Sequence, residues 1–155
     1  MAVKLYVVGF AFNKKGDHVV LVHKDRPEWQ AGLINGVGGK VEDTDLEYID
    51  AMTREFFEET GMFTVAPDWD HFATLHFEND KLGGEAMVFA YRIFTDDIWT
   101  CQTKESEKIE IFELPKAETW KGFRSLAGLE LVPHTYAILP IARDKAFKFC
   151  EFKMQ

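Results

Sequence analysis

The chain has 155 residues, 46% of them hydrophobic and 28% charged, which is ordinary usage for a globular domain with a real core. Its formal net charge of −8 argues against general binding to a nucleic acid backbone. The acidic charge does not argue against binding of a small phosphorylated ligand, because divalent cations can bridge carboxylates and phosphates. No stretch approaches the roughly 18 apolar residues of a membrane span, and no signal-peptide layout is present. We therefore expect one cytoplasmic domain over residues 1–155, without membrane association.

The first 40 residues predict two strands and a glycine-rich loop. Residues 3–12 are apolar on both alternating faces, which is typical of a strand covered on both sides. A polar turn at residues 13–17 leads into a second strand at His18–His23. The glycine-rich loop at residues 35–39 allows close backbone approach to an anion or a metal. It matches neither a P-loop nor a dinucleotide-binding loop, because Val41 replaces the Ser or Thr of the first and the third glycine of the second.

Residues 45–60 lack glycine and proline and predict a helix that ends at Gly61. Glu55, Glu58 and Glu59 are spaced i, i+3 and i+4, so they share an arc of about 100° beside the apolar stripe of the helix. Like charges at this spacing cost roughly 0.2–0.5 kcal/mol per pair, and the macrodipole disfavours acids near a helix C-terminus. This cost indicates a bound cation, and carboxylate ligation favours Mg²⁺ or Mn²⁺. The alternative is a solvated acidic face.

The second half of the chain predicts further strands and a terminal helix. These strands are expected at residues 72–77, 86–94 and 109–114. The tail at residues 133–149 predicts a helix that Pro140 should kink or split. The expected fold class is therefore α/β (α+β), a mixed sheet with helices packed on its faces.

Loop and helix together resemble the Nudix box, G-x5-E-x7-R-E-U-x-E-E-x-G-U, in which U is a bulky apolar residue. Residues 54–62 match the second half of this pattern position by position, and residues 38–42 are similar to the family's usual G-G-K-V-E. The resemblance implies an α/β/α sandwich. Gly39 and Arg54 are one residue further apart than the pattern requires, so Asp45 or Glu47 would fill the first Glu position.

The resemblance also implies a metal-dependent hydrolase that cleaves the pyrophosphate linkage of a nucleoside diphosphate derivative. Its implied metal ligands are the Gly38 carbonyl and the carboxylates of Glu55, Glu58 and Glu59. Arg54 would orient a helix glutamate through a charge-assisted hydrogen bond.

In such enzymes the general base is a helix glutamate or an acid from a later loop. The charged loop at residues 103–108 supplies Glu107 as the first candidate and Glu105 as the second. The alternative for both is an ordinary charged loop.

Residues 33–40 are similar to the W-N-G-x-G-G-K stretch of Nudix triphosphatases that remove oxidised purine nucleotides. The similarity implies that Asn35 contacts a purine edge, that Trp29 or Trp120 stacks on the base, and that Lys40 contacts phosphate. Asn35 could instead simply cap a turn. We therefore expect a monomer or homodimer that hydrolyses a nucleoside triphosphate to a monophosphate and pyrophosphate. The alternatives are an ADP-ribose or nucleotide-sugar pyrophosphatase and a non-catalytic nucleotide-sensing module.

Overall fold

The computed structural model describes residues 3–78, 83–116 and 124–154. Within them the strands form an eight-stranded mixed sheet and a separate two-stranded hairpin. The sheet strands are β1 (Lys4–Phe12), β2 (His18–His23), β3 (Ile34–Asn35), β4 (Val37–Lys40), β5 (Asp70–Phe77), β6 (Ala86–Phe94), β7 (Ile109–Glu113) and β10 (Cys150–Met154). The hairpin strands are β8 (Ser125–Leu126) and β9 (Leu129–Glu130), and the two α-helices are α1 (Tyr48–Thr60) and α2 (Pro133–Arg143).

Strand β1 lies at the centre of the sheet, with neighbours along both edges. One edge pairs in parallel with β6 along the whole strand. The other edge is shared, because β4 pairs with Tyr6–Gly9 and β2 pairs with Ala11–Phe12, both antiparallel. The sheet order is β10-β5-β6-β1-β2-β3, and β7 adds to β2.

The glycine-rich segment at residues 35–39, predicted as a loop, is mostly strand. Asn35 ends β3, and Gly38 and Gly39 belong to β4, which pairs with β1. Glycines weaken the hydrophobic alternation that marks a strand, so the pattern hid β4. They are needed because the backbones approach closely: a Cβ on Gly38 would lie 2.0 Å from the Val7 carbonyl oxygen.

The two helices cover opposite faces of the sheet, which gives an α/β/α sandwich. Met52 and Phe56 of α1 belong to a buried cluster with Val7 of β1. Leu139 of α2 belongs to a second cluster with Phe10 of the same strand. The predicted mixed sheet and the two covered faces of β1 are thereby confirmed. Each fully buried side chain of this size contributes roughly 1.5–3 kcal/mol.

Helix α1 begins at Tyr48, three residues later than predicted. Asp45 stands in a turn instead, where its amide donates to the Glu42 carbonyl and its carboxylate accepts the Glu42 amide. Glu47 occupies the N-cap position, and its amide donates to the Asp50 carboxylate. The predicted end is confirmed, since Gly61 adopts φ of 74° and donates to the Phe57 carbonyl.

The tail was predicted to be helical from residue 133 to residue 149, with a kink or a split at Pro140, and that prediction is wrong beyond Arg143. Helix α2 continues through Pro140 without being split, but it ends at Arg143, and β10 then pairs in parallel with β5. Arg92 explains the end of the helix, because its guanidinium binds the carbonyls of Ile141, Ala142, Asp144 and Phe147. In the described part of the chain no helix has the length and apolarity to cross a membrane.

Candidate active site

Helix α1 packs its acidic edge against the glycine strand β4. A Cβ on Gly39 would lie 2.5 Å from the carboxyl carbon of Glu55, so glycine at this position makes room for the acid. The Glu55 side chain is 14% exposed. Burial raises its pKa, and a hydrogen bond from Arg54 opposes that effect. A carboxylate held this close to the backbone, and this far from water, needs positive charge nearby.

Glu59, on the next turn of α1, has a buried oxygen without a hydrogen-bond partner, namely Oε2. Burial raises the pKa of Glu59 to about 8, against the attraction of Lys24 and with repulsion from Glu55 and other nearby acids. Leaving a buried acceptor unpaired costs about 1–3 kcal/mol. A divalent cation is a partner that would offset this cost.

The acids of α1 and those of the loop at residues 103–108 meet in one pocket of about 480 Å³, here called the acid pocket. It is lined by the glutamates Glu55, Glu58, Glu59, Glu105 and Glu107, the cations Lys24 and Arg26, and Pro27, Gly38 and Gly39. The structure thus brings the predicted metal ligands together with both candidate bases. Among the described residues no three His, Cys, Asp or Glu side chains are placed to hold a metal ion as they stand. The donor chemistry, oxygen alone with an unpaired buried carboxylate, fits Mg²⁺ or Mn²⁺.

Arg54 connects this edge of α1 to the turn before the helix. Its Nε and Nη2 donate to the two oxygens of Asp45 at 3.0 and 2.8 Å, and its Nη1 donates to Glu55 at 2.9 Å and to Glu58 at 3.3 Å. The hydrogen bond from Arg54 lowers the pKa of Asp45. Asp45, rather than Glu47, therefore supports the arginine.

Glu107 is held by three donors. Lys24 Nζ donates to Oε1 at 2.9 Å, and the amides of Asp25 and Arg26 donate to Oε2 at 2.7 and 3.3 Å. Burial alone would raise the pKa of Glu107, but the bonds from Lys24 and Asp25 bring it below its ordinary value. Both oxygens are thus occupied. Glu105 is exposed on the same loop.

A second cavity, of about 430 Å³, lies on the α2 face of the sheet and is here called the ring pocket. Its aromatic lining is Tyr6, Trp29, Phe77 and His134. Gly38 and Gly39 line both this pocket and the acid pocket, as do Lys24 and Pro27. A molecule could therefore extend from one pocket into the other across the glycine strand.

Three of the predicted substrate-binding residues, Asn35, Trp29 and Lys40, line the ring pocket. Asn35 Oδ1 accepts a hydrogen bond from the backbone amide of Gly36 at 2.8 Å and another from the hydroxyl of Thr135. Asn35 thus stabilises its own turn, which is the alternative role that the sequence left open for it. It also lines the ring pocket. Trp120, the fourth predicted residue, lies outside the described residues.

Sequence reasoning missed Lys24 and His134. Lys24 follows β2 directly and lies where the two pockets meet. A single lysine after a strand carries no motif, so only the fold reveals its position. His134 is the second residue of α2, and its approach to Trp29, which lies far earlier in the chain, depends on how α2 packs across the sheet.

A family model described as the NUDIX domain matches residues 3–128. No curated protein matches the chain. A MutT/nudix family protein from Enterococcus faecalis has a TM-score of 0.70 at 16% identity, over 92% of this chain and 61% of that one. The mMutator MutT protein from Bacillus halodurans has a TM-score of 0.65 at 18% identity, over 96% and 87%.

The NUDIX domain of Shewanella oneidensis NrtR, solved with ADP ribose, has a TM-score of 0.70 at 18% identity, over 92% of this chain and 88% of that one. NrtR complexed with a 27mer DNA is also similar, but this chain covers 59% of it. At these identities the structural likeness shows the fold alone.

Proposed function

The chain belongs to the Nudix family, and on that basis we propose that it hydrolyses a nucleoside triphosphate, oxidised purine nucleotides included, to a monophosphate and pyrophosphate. The observation that carries this proposal is that the acid pocket and the ring pocket adjoin, since Gly38 and Gly39 line both. One cavity suits a planar base and the other suits a charged polyphosphate. A substrate with both parts would occupy both pockets.

Glu55, Glu58 and Glu59, with the Gly38 carbonyl, would hold the Mg²⁺ or Mn²⁺ that this reaction needs. When bound, such a cation neutralises charge on the polyphosphate and lowers the pKa of water. The unpaired oxygen of Glu59 supports this assignment. Arg54 holds Glu55 and Glu58 in place through charge-assisted bonds.

Lys24 and Lys40 would bind the phosphates. Both line the ring pocket, and Lys24 also lines the acid pocket. An ammonium group near the transferred phosphorus stabilises charge that develops in the transition state.

The general base is proposed from the loop at residues 103–108. A base works best when its pKa lies near the operating pH and its oxygen is accessible. Glu107, the first candidate from the sequence, has both oxygens occupied and a lowered pKa. These contacts favour Glu105 as the base and Glu107 as the residue that positions Lys24.

Product analysis tests the proposed function. Nucleoside triphosphates with natural and oxidised bases, and ADP-ribose, would be incubated with Mg²⁺ and followed by ³¹P NMR. We expect pyrophosphate and a nucleoside monophosphate from a triphosphate. AMP and a sugar phosphate from ADP-ribose, with triphosphates intact, would instead establish the sugar-linked alternative. Tight binding without any product would establish a sensing module.

Three further expectations belong to this proposal. The net charge of −8 supports the absence of nucleic acid backbone binding, which a mobility-shift assay at low salt would check. A single domain over residues 1–155 and a monomeric or homodimeric state are testable by limited proteolysis and light scattering. Two free thiols, Cys101 and Cys150, agree with a cytoplasmic location.

A further inference from the structure

His134 is a buried polar side chain in the wall of the ring pocket. It is 8% exposed, and its ring centroid lies 6.3 Å from that of Trp29 and 5.6 Å from that of Phe77. Nowhere in residues 3–78, 83–116 and 124–154 does a group hydrogen-bond to its imidazole nitrogens. These nitrogens are not among the fully buried side-chain atoms without a partner, so they are open to the cavity that His134 lines. A ligand in that cavity is the partner that the arrangement implies.

The surroundings of His134 keep its imidazole uncharged at neutral pH. Burial lowers its pKa to about 4. The ionisable side chains that line the same cavity within the described residues are Tyr6, Lys24 and Lys40, so no carboxylate there would favour protonation. A neutral imidazole presents one N–H donor and one acceptor nitrogen.

The other walls of the pocket restrict the shape of the ligand. Trp29 and Phe77 are flat apolar surfaces close to His134, and flat apolar surfaces bind planar rings. Gln30 Oε1 already accepts from Asn35 Nδ2 at 3.3 Å, which leaves the Gln30 amide nitrogen able to donate. The cavity thus offers stacking surfaces together with donors and an acceptor.

We propose that His134 is a specificity-determining residue, which hydrogen-bonds to the edge of a planar heterocyclic base that stacks in the ring pocket. The inference deepens the proposed function, on which it rests, because it names the residue that distinguishes one base from another. A hydrogen-bonding site rejects a base that cannot pair with it far more strongly than an apolar site does. Base preference should therefore depend on His134, and affinity for the phosphates should not.

The test measures binding without metal, so that it does not depend on turnover. The probes are AMP, GMP, CMP and UMP, titrated calorimetrically into the wild-type protein, His134→Phe and His134→Gln. We expect the four wild-type affinities to spread by about tenfold or more, as one or two hydrogen bonds provide. The spread should collapse to within about threefold in His134→Phe, while inorganic pyrophosphate binds all proteins alike. His71→Phe is the matched control, because His71 is half-buried among aromatic rings outside the pocket.

A second measurement uses the wild-type protein alone and so does not depend on how a variant folds. Binding of the preferred monophosphate should move the ¹⁵N resonances of the His134 ring and leave those of His71 in place. An unchanged spread in His134→Phe, unmoved His134 resonances, or no binding of any monophosphate would overturn the inference. Failure of hydrolysis with intact base discrimination would reject the proposed function and leave this inference standing.

Discussion

Arg54 and Asp45 form a two-bond ion pair between α1 and the turn that precedes it. The Nε to Oδ1 and Nη2 to Oδ2 distances are 3.0 and 2.8 Å. The same guanidinium holds Glu55 and Glu58 through Nη1. Asp45 thus fixes the arginine that arranges two of the proposed metal ligands. The sequence left Asp45 and Glu47 as alternatives for this position, and only Asp45 makes the contact.

Replacing Asp45 by alanine should lower the free energy of unfolding by about 1–3 kcal/mol, because it leaves a partly buried guanidinium without its main partner. Glu47→Ala, the matched control at the N-cap, should cost about 1 kcal/mol or less. Urea denaturation measures both. A double-mutant cycle of Asp45→Ala with Arg54→Ala should give a coupling energy of at least about 0.5 kcal/mol. Equal costs for the two acids, or no coupling, would contradict this role of Asp45.

The stability of the metal-free protein should fall as pH rises from about 5 to 8. Burial raises the pKa of Glu59 in the folded protein to about 8, from an ordinary value of 4.5, so the folded state binds more protons in that range. The loss should be about 1–3 kcal/mol, and Mg²⁺ should reverse it, since a cation binds the ionised carboxylate.

Glu59→Gln isolates the contribution of Glu59 to this pH dependence. Urea denaturation in EDTA at pH 5, 6.5 and 8 should show a smaller decline in the variant than in the wild type. His71 and His134, whose pKa values burial lowers, act in the opposite direction in both proteins, so the difference between the two proteins cancels them. Parallel pH profiles would show that Glu59 is not a buried, unpaired acid.

Most strands of the sheet could be predicted from the sequence, but β4 and β10 could not. Largely apolar runs located β1, β2 and β6, because their side chains pack on two covered faces. The strand β4 was missed, since Gly38 and Gly39 carry no side chain that could show an alternation. The strand β10 was missed because nothing local distinguishes it from a continued helix, and its pairing with β5 is a long-range contact.

The residues of the candidate site also fall into two groups: those that local sequence spacing predicts, and those that only packing between distant elements brings together. The spacing of Glu55, Glu58 and Glu59 is a property of one helix, so the sequence could place those acids together. Lys24 and His134 reach their pockets through packing between distant elements, and no local spacing indicates that. Glu107 was found by its position before a strand, but its three donors were not foreseeable.

Arg92 should be essential for stability and dispensable for the chemistry. It is 3% exposed, binds Asp70 at 2.9 Å and donates to carbonyls at the end of α2 and beyond. Arg92→Met should cost about 3–5 kcal/mol, because it leaves several buried carbonyls unpaired. Arg143→Met, at the last residue of α2 and more exposed, serves as a comparison and should cost less. Thermal and urea unfolding measure the loss, and a cost below about 1 kcal/mol for Arg92→Met would be inconsistent with this role.

The two loop acids should separate in how their loss divides between kcat and KM. Glu105→Gln should lower kcat by about 10²–10⁴-fold with little change in KM, as expected for loss of a base. Glu107→Gln should mainly raise KM, because Lys24 loses its partner. Steady-state kinetics with the same triphosphate for both variants decide between them. The opposite result would assign the base to Glu107.

The most direct test of the proposed metal-carboxylate site is Glu58→Gln. Its side chain is 44% exposed and accepts one hydrogen bond within the described residues, from Arg54 at 3.3 Å, so the substitution should leave folding intact. Mg²⁺ affinity by titration and triphosphate hydrolysis by ³¹P NMR would be compared with the wild type and with Glu113→Gln, an exposed control on β7. We expect about 10²-fold or greater loss of hydrolysis and weaker Mg²⁺ binding in Glu58→Gln alone. Unchanged Mg²⁺ affinity and unchanged hydrolysis would contradict the account.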